Sequence, residues 1–254
     1  MKIGVIGSWK IKEAMGKSEL VNIETPYDAV NVDVFRIGSH TVFFVQRHGS
    51  QSNLPPHKVN YMANIQAFAN SHVECVIALN TVGSLKKTIK PGDFVVPHDF
   101  VDFTKSRNYT FYDDKRVHID MSEPYCPMLR TLLVKSCTSI KNINLHEKAV
   151  YLAMEGPRLE TPAEICMFSS FCDIVGMTGV PEVVLARERG ICYASLCVVS
   201  NMAAGLQKTL RTDEIIDTYD KQEKNISKIL LSTIEKITEK RDCICKEAIK
   251  KAIL

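Results

Sequence analysis

An α/β fold in one domain over residues 1–254, with a mixed, mostly parallel central sheet flanked by helices, is what the sequence predicts. Short runs rich in Val, Ile and Phe alternate with segments of helical periodicity. Several of those runs end in Gly, Ser, Thr or Asn, and no repeat, low-complexity stretch or Gly/Ser/Pro-rich linker divides the chain. Apolar residues at 45% and charged residues at 24% are globular values, which sets the disordered class aside. No apolar run reaches bilayer length, so no membrane partner is expected. A net charge of +3 spread without clusters argues against a nucleic-acid partner. The N-terminus is too short and too Gly-broken for a signal peptide. Together with cysteines embedded in apolar runs, this gives a cytoplasmic expectation.

Strands are predicted at residues 2–6, 32–37, 41–46, 75–80, 94–97, 149–153, 173–176 and 192–200. Gly38-Ser39-His40 reads as a hairpin turn between the second and third. Helices are predicted at 59–71, 127–139, 162–171, 181–189 and from Thr212 onward, three of them starting at proline. Ile215, Tyr219, Ile226, Leu230, Ile234 and Ile237 recur at helical spacing, the pattern of a helix packed along the domain. Residues 102–122 read as an extended loop. Of nine cysteines only Cys243-Ile244-Cys245 is paired in spacing. With no second Cys or His pair near it in sequence, no metal is expected; two reduced thiols at a fraying end is the plain reading, and a strained local disulfide the alternative.

The chemistry concentrates between Glu155 and Gly205, where Glu155-Gly156-Pro157-Arg158-Leu159-Glu160-Thr161-Pro162 and Ser200-Asn201-Met202-Ala203-Ala204-Gly205 form loop-rich segments on a rigid frame. Upstream, Gly7-Ser8-Trp9 follows the first strand, and Gln46-Arg47-His48-Gly49 follows the third. Arg47 offers a planar fork suited to an oxyanion, and His48 offers a donor beside it. Asn80-Thr81-Val82-Gly83-Ser84 places small and hydroxylated residues past another strand, where open sheets bind ligands. Each signal alone also fits a plain turn or a surface ion pair.

In chain order, Arg47-His48-Gly49, the 55–61 block Pro-Pro-His-Lys-Val-Asn-Tyr, Val82-Gly83-Ser84-Leu85, Pro91-Gly92-Asp93, Glu155-Gly156-Pro157-Arg158 and Met177-Thr178-Gly179-Val180-Pro181-Glu182 resemble the trimeric purine nucleoside phosphorylase / methylthioadenosine phosphorylase family. The resemblance implies cleavage of a purine nucleoside by inorganic phosphate as co-substrate, without a cofactor, in a homotrimer or a dimer of trimers. It implies phosphate binding by Ser8, Arg47, His48, Thr81 and Thr178. It puts Met177 beneath the ribose, Leu159 and Glu160 beside the base, and Asn201 at N7 and the 6-substituent. Ala203 stands where adenine-preferring relatives carry a second Asp. Asn201, Glu160 and His48 are the catalytic candidates.

Hydrogen-bond polarity then selects the base. An ionised Glu only accepts, so Glu160 suits the N1–H of a 6-oxopurine, and the Asn201 amide can donate to O6 or N7. Mispairing costs about 1–3 kcal/mol per buried group. Inosine and guanosine are therefore expected substrates, with 5′-methylthioinosine a further candidate. Two readings compete with that one: a 5′-methylthioadenosine phosphorylase and a non-catalytic nucleoside-binding protein. By themselves Glu160 also fits a helix N-terminal acid, and Asn201 a turn before Gly205. The chain departs from the family at Trp9 in the N-terminal turn, at Ser52 where relatives carry His, and at Leu159 where a stacking aromatic is usual.

Overall fold

The computed structural model describes residues 1–49, 51 and 53–253, so Ser52 lies outside the described residues. In chain order the elements are β1 (Lys2–Gly7), α1 (Trp9–Ala14), β2 (Glu19–Ile23), β3 (Val30–Ile37), β4 (His40–Gln46), α2 (Tyr61–Asn70), β5 (Cys75–Ser84), β6 (Phe94–Val95), β7 (Asp99–Phe103), α3 (Pro127–Thr138), β8 (Leu145–His146), β9 (Val150–Met154), α4 (Pro162–Phe168), β10 (Ile174–Gly176), α5 (Gly179–Glu188), β11 (Cys192–Met202) and α6 (Thr212–Lys236).

These strands form one mixed sheet, its main path running β2-β3-β4-β1-β5-β10-β9-β7. The pairs β1–β4, β1–β5, β5–β11, β9–β10, β7–β9 and β6–β8 are parallel; β2–β3, β3–β4, β5–β10 and β6–β11 are antiparallel. Strand β5 is the hinge of the arrangement. Its first half lies beside β1 and its last residues beside β10, while β11 follows it along its whole length. Helices α2 and α5 pack on one face over a core that includes Ile65, Phe68, Val76 and Val183. Helices α3 and α6 pack on the other over Ile77, Leu129, Leu196 and Leu230. Strands β5 and β11, covered on both faces, therefore read as continuous apolar runs.

Local sequence sets most boundaries. Gly38 and Ser39 close the β3–β4 hairpin, Gly38 at φ +56°. Pro127 and Pro162 open α3 and α4, where a missing N–H costs nothing. Val180 is extended inside α5, so its regular turns begin at the predicted Pro181. Strands β5 and β11 outrun the predicted 75–80 and 192–200, β5 through Thr81 to Ser84 and β11 through Asn201 to Met202, because their mutual pairing overrides the low strand propensity of residues such as Gly83 and Asn201. Strands β2, β7 and β8 and helix α1 were not visible in the pattern. β2 is solvent-exposed over four of its five residues, and α1 spans only six residues, too short for periodicity. Among the described residues no helix is long and apolar enough to cross a membrane.

Candidate active site

A cavity of about 650 Å³ opens at the carboxyl ends of the parallel strands, the usual ligand position in open α/β sheets. It is lined by Ser8 after β1, Arg47 and His48 after β4, Thr81 in β5, Met177 and Thr178 after β10, Asn201 in β11, and Leu159 and Glu160 before α4. Residues separated by almost two hundred positions thus share one cavity. Ala203 does not line it. Its backbone N–H bonds the Ser84 carbonyl at 2.8 Å, and it is buried in the cluster that holds Leu85, Leu152 and Ile165, so its place among the nucleoside contacts is corrected.

Arg47 is buried, but its fork is not free for an anion. Nε donates to Glu182 Oε1 at 2.5 Å, Nη2 to Oε2 at 3.0 Å, and Nη1 to the Leu79 carbonyl at 2.8 Å. Tyr193 donates to the same Glu182 at 2.8 Å. A guanidinium has five N–H groups, so two remain for a ligand. Arg47 is a charge held rigidly at the cavity wall, and the bidentate grip expected on an oxyanion belongs to Glu182.

His48 also differs from expectation. Its Nδ1 lies 2.7 Å from the Leu54 carbonyl, which can only accept, so Nδ1 carries the proton. Burial holds the imidazole below its ordinary pKa, and the neutral ring presents Nε2 as an acceptor. It suits a hydroxyl or a protonated phosphate oxygen rather than acting as a spare donor. Thr178 is oriented by a buried relay: Ser195 Oγ donates to Asn80 Oδ1 at 2.8 Å, and Asn80 Nδ2 donates to Thr178 Oγ1 at 2.9 Å. Having accepted from Asn80, the Thr178 hydroxyl keeps its own proton for a ligand. Ser8 Oγ meets Tyr219 Oη at 2.8 Å.

At the other side, Glu160 is 9% exposed and precedes the N-cap of α4. The helix-terminal acid is Glu164, which completes a capping box with Thr161 and is held down at about 2 by Arg158. That leaves Glu160 to the cavity, where burial pushes its carboxyl above the usual range. Asn201 belongs to β11 rather than to a turn. A register shift between Val199 and Asn201 re-aims the chain there. Its Nδ2 donates to the Met202 carbonyl at 2.9 Å, and its Oδ1 accepts from Ser200 Oγ at 2.6 Å, so one amide proton stays unspent. Gly83 lies opposite; a Cβ there would sit 3.2 Å from Asn201 Nδ2. Met177 packs against Gly156, at φ +68°, so closely that a Cβ would meet its Sδ at 2.6 Å.

Several contributors carry no sequence signal. Ile215, Ile216, Tyr219 and Asp220 from the start of α6, with Lys10 from α1, also line the cavity, and Lys10 pairs with Asp220. The helical stripe read as packing therefore divides. Ile226, Leu230, Ile234 and Ile237 enter the core, Ile215 reaches the site, and Tyr219 does both, packed against the core and lining the cavity. Arg107, inside the segment read as a loop, donates to the carbonyls of Glu155 at 2.7 Å and Met177 at 2.5 Å, tying the two site loops together. The Trp9 side chain lies outside the described residues.

Residues 2–235 match the family model described as "Phosphorylase superfamily". The chain is 45% identical over 254 residues to "Probable S-methyl-5'-thioinosine phosphorylase" of Methanopyrus kandleri, covering 99% of this chain and 98% of that one. It is 42% identical to "S-methyl-5'-thioadenosine phosphorylase" of Pyrococcus furiosus, covering 98% of each. Among solved structures, a methylthioadenosine phosphorylase from an antarctic soil metagenomic library superposes with a TM-score of 0.93 at 32% identity, over 99% of this chain and 92% of that one.

Proposed function

Because the chain belongs to the phosphorylase superfamily, we propose that it cleaves 6-oxopurine nucleosides with inorganic phosphate, releasing the base and a pentose 1-phosphate. 5′-Methylthioinosine joins inosine and guanosine in the substrate class. The observation that carries this is the pairing of Glu160 and Asn201 in one cavity with Ser8, Arg47 and Thr178. Glu160 ionised accepts from N1–H, and the unspent Asn201 amide proton goes to O6 or N7. The apolar Ile215 and Ile216 offer a surface that suits a thioether better than a bare hydroxyl.

Chemistry by this route needs no covalent enzyme intermediate. Phosphate would be held beneath C1′ by the remaining Arg47 N–H groups and by the Ser8, Thr81 and Thr178 hydroxyls. His48 Nε2 would accept from a protonated phosphate oxygen or a sugar hydroxyl. As the glycosidic bond stretches, the sugar gains positive charge beside that anion, and Asn201 takes up the charge developing on the purine. Met177 supports the ribose, and Leu159 lies against the base.

A 5′-methylthioadenosine phosphorylase is the second reading, favoured by the name of the Pyrococcus relative. It would need a donor at Glu160 and an acceptor at Asn201. Purine salvage in the cytoplasm, as a homotrimer or dimer of trimers, completes the proposal; exposed Met167 and Phe171, at and just past the end of α4, are apolar surface of the kind subunits cover. Base release from inosine, guanosine and 5′-methylthioinosine, with and without phosphate, tests the reaction. Strict phosphate dependence is expected, and release without phosphate, or none under either condition, would remove it.

A further inference from the structure

At the far end of the sheet from the cavity, Cys126, Cys192, Cys243 and Cys245 bring their sulfurs within 4.8 Å of one another. Cys126 caps α3, Cys192 opens β11, and the Cys243-Ile244-Cys245 segment follows α6. Nine steps of extended strand lead from Cys192 to Asn201, roughly 30 Å at about 3.3 Å per step, so this cluster is independent of the active site. The sequence offers one Cys-x-Cys pair with nothing near it; the fold supplies the second pair. Nor do these thiols sit on a fraying end, for Cys245 is fully buried and the tail beyond it is tied back by the His118 N–H to the Ala252 carbonyl at 2.9 Å.

We propose that these four cysteines form a structural zinc site. In a tetrahedral tetrathiolate with Zn–S of about 2.3 Å, neighbouring sulfurs stand about 3.8 Å apart, and the cluster spans that separation, with Cys192 and Cys243 already at 3.3 Å. Buried neutral thiols need no cation, yet two guanidinium groups point at the sulfurs. Arg187, held by the Asp120 and Glu123 carbonyls, donates from Nη1 to Cys245 Sγ at 3.2 Å, and Arg241 Nη1, which donates to the Glu74 carbonyl at 2.9 Å, also reaches Cys192 Sγ at 3.6 Å. Four thiolates around Zn²⁺ carry a net charge of −2, which two arginines offset; Arg241 shares its charge with the partly exposed Glu74 at 3.8 Å. Two disulfides would leave those guanidinium groups facing uncharged sulfur. The metal would staple the segment after α6 to α3 and β11, and binding would release thiol protons.

The test uses the full chain purified in reductant without chelator. One zinc per chain by elemental analysis is expected, and the reduced, metal-free chain should take up cobalt with the visible bands of a tetrahedral thiolate complex. Cys243→Ser, at the half-buried position, should weaken cobalt binding by more than the roughly 10–100-fold that losing a ligand's supporting hydrogen bond costs. Replacing the exposed Cys166 with Ser should change nothing. Chelation should lower the melting temperature while the KM for phosphate holds. A reduced chain with nine reactive thiols and no cobalt bands would overturn the proposal, as would cobalt uptake unaffected by Cys243→Ser.

Discussion

Glu182 holds Arg47 through both carboxylate oxygens, Oε1 at 2.5 Å and Oε2 at 3.0 Å, and both side chains are buried. Removing one partner strands a charge in the interior. Glu182→Ala should cost about 3–5 kcal/mol of stability, read as a lower urea midpoint, and should abolish phosphate saturation. Arg47→Met combined with Glu182→Leu should recover much of the stability and none of the activity, separating the structural role of the pair from its catalytic one.

Tyr219 reaches Ser8 from α6, so one wall of the cavity also positions a hydroxyl that the proposed reaction assigns to phosphate. Tyr219→Phe removes one hydrogen bond, about 0.5–1.5 kcal/mol, or roughly 2–10-fold. The loss should appear in the KM for phosphate, with kcat and the KM for nucleoside close to the parent values.

The buried Glu160 has a raised pKa, so it takes up a proton at a pH above the ordinary glutamate value of about 4.3. Above its pKa it is an acceptor; below it also donates. For a 6-oxopurine nucleoside kcat/KM should fall as pH drops through that pKa, and for a 6-aminopurine nucleoside it should rise. Glu160→Gln should flatten both profiles in that range.

How much of this was legible in the chain follows the reach of each interaction. Strands β1, β3, β4, β5 and β11 are apolar runs whose meaning is local, and the places of Arg47, Thr178 and Asn201, just past or at the end of a strand, follow from where the strands stop. Glu182 was visible only as part of a motif, because its partner lies 135 residues away. Tyr219 shares a helical stripe with core residues, and periodicity cannot tell a core from a cavity. Cys126 and Cys192 gave no spacing signal, since only the fold brings them to Cys243 and Cys245. Ala203 and the free fork of Arg47 were misread for one reason: residue type states what a group can do, while its neighbours decide what it has left.

Asn201→Asp would place a carboxylate oxygen against the Met202 carbonyl while reversing polarity toward the base. It should lower kcat/KM for inosine by about 1–3 kcal/mol, or roughly 5–150-fold, mostly in kcat. The ratio of adenosine to inosine turnover should rise. An unchanged ratio would detach Asn201 from base selection.

The most direct measurement compares kcat/KM for 5′-methylthioinosine and 5′-methylthioadenosine at saturating phosphate, since the two differ only at the base edge that Glu160 and Asn201 would meet. Two reversed hydrogen-bond positions predict a preference for the 6-oxo substrate of roughly 30-fold or more, from at least about 1 kcal/mol at each. Equal values, or a preference for the 6-amino substrate, would contradict the account.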